Sequence, residues 1–124
     1  MKLHRYPLAL LFAAFVAQAA APVPTLPTEL QAAVRCAAVF SIVAAEQARH
    51  GAGDWPPLDQ RGREFFVRVS AQAMDVGRLD RQALQGLMQA EAAQLRNARD
   101  RAALKVPCLT MLDANLPVAA QRRR

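Results

Sequence analysis

Cys36 and Cys108 are the only cysteines in the chain, and a bond between them would tie its first helix to its last. Whether that bond forms depends on the compartment, which residues 1–19 address. Lys2, His4 and Arg5 make a short basic start, and Leu8 to Val16 is an unbroken apolar run. Ala17-Gln18-Ala19 is a small-x-small cleavage site, which completes the layout of a secretory signal peptide. The apolar run is too short for a membrane anchor, is broken by Gln18 and is soon followed by Pro22. Cleavage after Ala19 leaves residues 20–124, enough for one small domain with one core and no integral membrane segment. Exported proteins with two thiols pair them, so a structural Cys36–Cys108 disulfide is expected. A redox pair would be close in sequence, and zinc would need three or four ligands. His50 is the only histidine left beside the two cysteines, so no metal site is expected.

Charge follows from the same cut. Lys2 and Arg5 leave with the leader, taking the chain from +6 to +4. Arg122, Arg123 and Arg124 carry three of those four charges, so the body of the domain stands near +1. A nucleic-acid binder concentrates its basic residues on a folded surface, and that pattern is missing. One lysine, Lys105, among many arginines in an alanine-rich chain fits a GC-rich bacterial genome. The periplasm is the expected destination.

Residues 20–27 carry three prolines and read as an extended lead-in. Thr28-Glu29-Leu30-Gln31 has the form of a capping box, predicting a helix from Thr28 to about His50 with Gly51 as its stop. Gln31, Arg35, Glu46 and Arg49 fall on one narrow stripe of that helix. Ile42 alone interrupts the stripe, and the rest is apolar or Ala, as expected of a helix packed on several sides. After a Gly/Pro loop, a second helix is predicted from Asp59 as N-cap to Val76, with Phe65, Val69, Ala73 and Val76 along its inward face, Phe66 and Met74 beside them, and Gly77 at its end. Asp80 predicts the third start, with Leu79 and Leu84 as a hydrophobic staple. Its 3–4 spacing continues to about Leu104. Pro107 then opens a short helix to about Asn115, and residues 117–124 read as a disordered basic tail. With no strand pattern, the expected fold is all-α: a small bundle of three long helices plus a short C-terminal helix over residues 28–116, stapled by one disulfide.

Chemistry is sparse. His50 suits the negative end of the first helix, and Ser41 and Ser70 lie mid-helix without a nucleophile elbow. The carboxylates sit mostly at helix starts. No catalytic residue and no cofactor are expected. Trp55, beside Pro56 and Pro57, and the arginines Arg61, Arg63 and Arg68 form the candidate interaction surface, because Trp and Arg are over-represented at binding hot spots. Glu91 lies on the apolar line of the third helix and is a candidate buried partner for Arg35.

The segments Arg35 to Arg49 (RCAAVFSIVAAEQAR), Trp55-Pro56-Pro57-Leu58 and Arg61 to Phe66 (RGREFF), with Cys108-Leu109 and Leu112-Asp113, resemble a group of small exported two-cysteine helical proteins of proteobacteria. That resemblance covers most of the exported chain and implies fold and compartment, but no activity. A looser likeness, in export signal, size, helicity and cysteine pair, is to the small periplasmic acid-stress chaperones. The expected function is a non-enzymatic periplasmic binding or stress-response module, with a protein partner or a second copy as occupant. The alternative is a small enzyme or enzyme regulator at the cell envelope, seeded by Arg35, Glu46 and Glu91.

Overall fold

The computed structural model describes residues 25–51 and 53–116. The expected leader, most of the lead-in and the expected tail lie outside the described residues. Five helices follow in order: α1 (Thr28–His50), α2 (Arg61–Val76), α3 (Arg81–Gln94), α4 (Ala98–Ala103) and α5 (Lys105–Asn115). No strand occurs among the described residues, and the fold is all-α.

α1 is the central element and packs against α2, α3 and α5. Its five consecutive residues Cys36, Ala37, Ala38, Val39 and Phe40 are all buried, so neighbours cover its whole circumference there. By length and composition alone α1 could cross a membrane; here it is the core helix of the bundle. It does not start on a capping box. Pro27, at φ −52° and ψ 145°, occupies the N-cap, and no side chain caps the helix. Proline fixes the cap position and pushes Thr28 one place into the helix. The Gln31 backbone N–H donates to the Pro27 carbonyl at 2.9 Å, and its side-chain Nε2 to the Leu26 carbonyl at 2.7 Å. At the other end Gly51, at φ 90°, turns the chain away and donates to the Gln47 carbonyl at 2.9 Å.

α2 begins one residue later than Asp59 predicts, with Gln60 as an N-cap that uses no side-chain bond, and Val76 at its end is exposed rather than inward. Leu58 sets this start. It is fully buried, its N–H donates to Gln47 Oε1 at 3.1 Å, and its carbonyl accepts from Gly62 N–H at 2.9 Å. Gly62 lets α2 close onto α1, since a Cβ there would stand 3.3 Å from Leu58 Cβ and 3.4 Å from Phe40 Cβ. Just beyond, Phe40 and Phe65 meet edge to face with centroids 5.2 Å apart.

Asp80 caps α3 as predicted, its carboxylate accepting from Ala83 N–H at 2.7 Å, with Leu79 and Leu84 buried beside it. The helix does not continue to Leu104. It ends at Gln94 because the buried Leu95 takes the C-cap and Arg101 claims the next carbonyls. Arg101 Nη1 donates to the Leu95 and Arg96 carbonyls, both at 2.8 Å, and Asn97 Oδ1 accepts from Arg99 N–H at 2.8 Å to start α4. α5 starts at Lys105, two residues before Pro107, which its first turn tolerates. Cys36 of α1 and Cys108 of α5 form the disulfide, with Cα atoms 5.2 Å apart.

Candidate functional site

The residues nominated by the sequence do not form one surface. Trp55 is half-buried in the loop between α1 and α2 and packs against the core. Gln47 holds that loop, its Nε2 donating to the Trp55 and Pro56 carbonyls at 3.3 and 2.9 Å. Lys105 of α5 sits 5.8 Å from the centre of the Trp55 ring and donates to the Asp54 carbonyl. Arg61 faces the end of α5, its Nη2 donating to Asp113 Oδ1 at 2.7 Å and to the Leu116 carbonyl at 2.8 Å. Arg68, seven residues on, shares that side of α2, while Arg63 lies about 200° round the helix from Arg61. Arg63 and Arg68 are exposed.

Arg35 Nε donates to Glu91 Oε2 at 3.1 Å, joining α1 to α3. The pair is not buried: the Arg35 side chain is 49% exposed and that of Glu91 16%. Arg35 reaches Glu91 from the solvent-facing stripe of α1. Glu46 is engaged elsewhere, accepting from Arg101 Nη2 at 2.6 Å. It stands about 16 Å along α1 from Arg35, so the three seeds of an enzyme site do not converge. Ser41 Oγ donates to the Ala37 carbonyl at 2.9 Å, and Ser70 Oγ is buried without a partner. No cluster of three metal-ligating side chains occurs among the described residues.

A different feature stands out beside α1. One hollow of about 380 Å³ opens between α1 and α2, lined by Phe40, Ser41, Ala44, Ala45, Ala48, Leu58, Asp59, Gly62, Arg63 and Phe66. A second, of about 370 Å³, opens between α1 and α3, lined by Ala38, Ser41, Ile42, Phe66, Arg81, Leu84, Gln85, Met88, Gln89 and Ala92. The two share Ser41 and Phe66, and together form one trough with the small residues of α1 as its floor. Phe66 stands at the junction, and Met88 supplies a flexible apolar wall from α3. On α2 the exposed Val67 and Met74 extend the Phe66 side. Of the nominated residues only Arg63 belongs here. Ile42, the single apolar intruder on the polar stripe of α1, was the sequence signal for this face.

The trough exists because α1 carries Ala and Ser where larger side chains would fill the space between α2 and α3. It is open, which suits a segment laid along it better than a small molecule that needs near-complete enclosure. Its contents match the residue types enriched at protein interfaces, an aromatic anchor with Met and Arg. Comparison with protein families, with curated proteins and with solved structures finds no match to this chain.

Proposed function

We propose that this is an exported, periplasmic, non-enzymatic module that binds another protein along the trough beside α1. The observation that carries this reading is the trough itself: two adjoining apolar hollows that meet at Phe66. The disulfide supports an oxidising compartment, and the leader sequence supports export to it. The polar side chains that could have seeded an enzyme site are tied into separate ion pairs, which favours the binding reading over the enzymatic one.

Site-specific photo-crosslinking in cells tests it, with the crosslinker at Met88 on the trough wall and at the exposed Thr110 of α5 as the control. Repeated capture of the same protein from Met88, and not from Thr110, is expected. Equal capture at both positions, or none from Met88, rejects the trough as the working surface. Compartment is read from the same material. Periplasmic chain should begin at Ala20 and weigh about 2 Da less than its reduced form; an uncleaved or reduced chain rejects the periplasmic assignment.

A further inference from the structure

We infer that the occupant of the trough is an acidic amphipathic helix: a partner segment whose apolar face is edged by carboxylates. This rests on the binding reading above and adds the chemistry of the ligand.

The trough edge is cationic. Arg63 on α2 lines the first hollow and Arg81 on α3 the second, and among the described residues neither forms an ion pair. Asp59 is the single carboxylate against them. Four acids elsewhere in the bundle are engaged: Glu46 by Arg101, Glu91 by Arg35, Asp113 by Arg61, and Asp80 by the first turn of α3; Glu64 and Asp75 of α2 line neither hollow. A segment lying on Phe66 and Met88 therefore meets an arginine without an ion-pair partner in each hollow, with one carboxylate, Asp59, against the two. Carboxylates on its edges complete them, as complementary potentials do across protein interfaces. An extended strand would need free backbone groups to pair with, and a trough walled by helices offers none; a helix brings its own backbone bonds satisfied.

Charge also separates the other occupants. Two copies joined trough to trough would set one cationic edge against another. Residues 117–124 end in three arginines and carry the same sign as the edge. A bilayer would supply negative charge, but it receives protruding apolar faces, and this one is recessed between helices.

The test uses the full oxidised chain and two synthetic peptides of one helical, amphipathic design. They share an apolar face, and one has Glu at its flanking positions, the other Lys. Binding is followed by titration calorimetry at two salt concentrations, beside sedimentation of the chain alone and co-sedimentation with anionic vesicles. The Glu peptide should bind at least about tenfold more tightly than the Lys peptide and weaken with salt. The double variant Arg63→Glu/Arg81→Glu changes only exposed side chains, and should reverse the preference. Met88→Glu should abolish both, with circular dichroism checking that the helices remain. Equal binding of the two peptides, no binding of either, or an unchanged preference in the double variant overturns the inference. So does a stable dimer, or vesicle binding without peptide binding. If crosslinks from Met88 persist while the peptide preference is absent, the trough reading stands and only the acidic helix falls. If both fail, both readings fall.

Discussion

Gly77 closes α2 at φ −79°, a value any residue adopts, while the next residue, Arg78, holds φ 52°. The backbone freedom of glycine is therefore unused at Gly77, and the left-handed turn falls on an arginine. Gly77 is needed for room: a Cβ there would stand 2.3 Å from Leu26 Cδ2 and 2.6 Å from the Ala73 carbonyl. Gly77→Ala should cost about 1–3 kcal/mol through overpacking, and Arg78→Gly should add up to about 1 kcal/mol by relieving the left-handed strain. Urea unfolding of both variants checks the pair of signs. If Gly77→Ala is neutral and Arg78→Gly destabilises, the conformational roles are the reverse of these. The end of α2 was legible from Gly77 alone. Its cause was not, because the pressing neighbour is Leu26, on the far side of α1 in sequence. Gly62 repeats the lesson, since it weakens a helix start on propensity yet sits where a Cβ would press on Leu58 and Phe40 at 3.3 and 3.4 Å.

The third helix shows how a regular pattern can be overruled by one distant contact. Leu84, Leu87, Met88, Glu91, Leu95 and Ala98 keep helical spacing, and no Gly or Pro lies between Leu87 and Ala98, so the apolar pattern announces no break at Leu95. The break is held by Arg101, whose side chain is only 8% exposed and spans two carbonyls of the break and Glu46 of α1. Arg101→Ala leaves those acceptors without their donor and should cost about 2–3 kcal/mol, a figure held down because Glu46 is 40% exposed. Arg101→Lys should recover little of it, since one ammonium cannot reproduce a planar fork that serves three oxygens. Chemical denaturation of both variants decides, and full rescue by lysine would show that charge alone matters. Asn97 was the overlooked sign, a good N-cap inside an apparently continuous helix. The capping box at Thr28 failed for the opposite reason, because Pro27 had already taken the cap.

Across the whole molecule the all-α class, the central place of α1 and the cysteine pair were readable, since each rests on periodicity or composition. The trough was not. It is a space between three helices, set by how small side chains on α1 meet two neighbours, and Ile42 was its only trace in the sequence. The disulfide acts at this scale too. Replacing both cysteines by alanine should lower stability by about 4 kcal/mol in the chain-entropy model. Because Cys36 and Cys108 are 5% and 0% exposed, reduction of the native protein should follow its rate of opening. Thiol release measured against urea concentration checks this, and fast release without urea would contradict it. Synthesis order gives the same bond a further meaning. Cys108 is made long after α1, whose length and composition would pass for a membrane span. Until α5 emerges, the bundle's most lipid-like helix lacks the covalent latch that holds its coat in place. The nascent chain should be most open to bilayers and chaperones over that interval, and oxidation should end it.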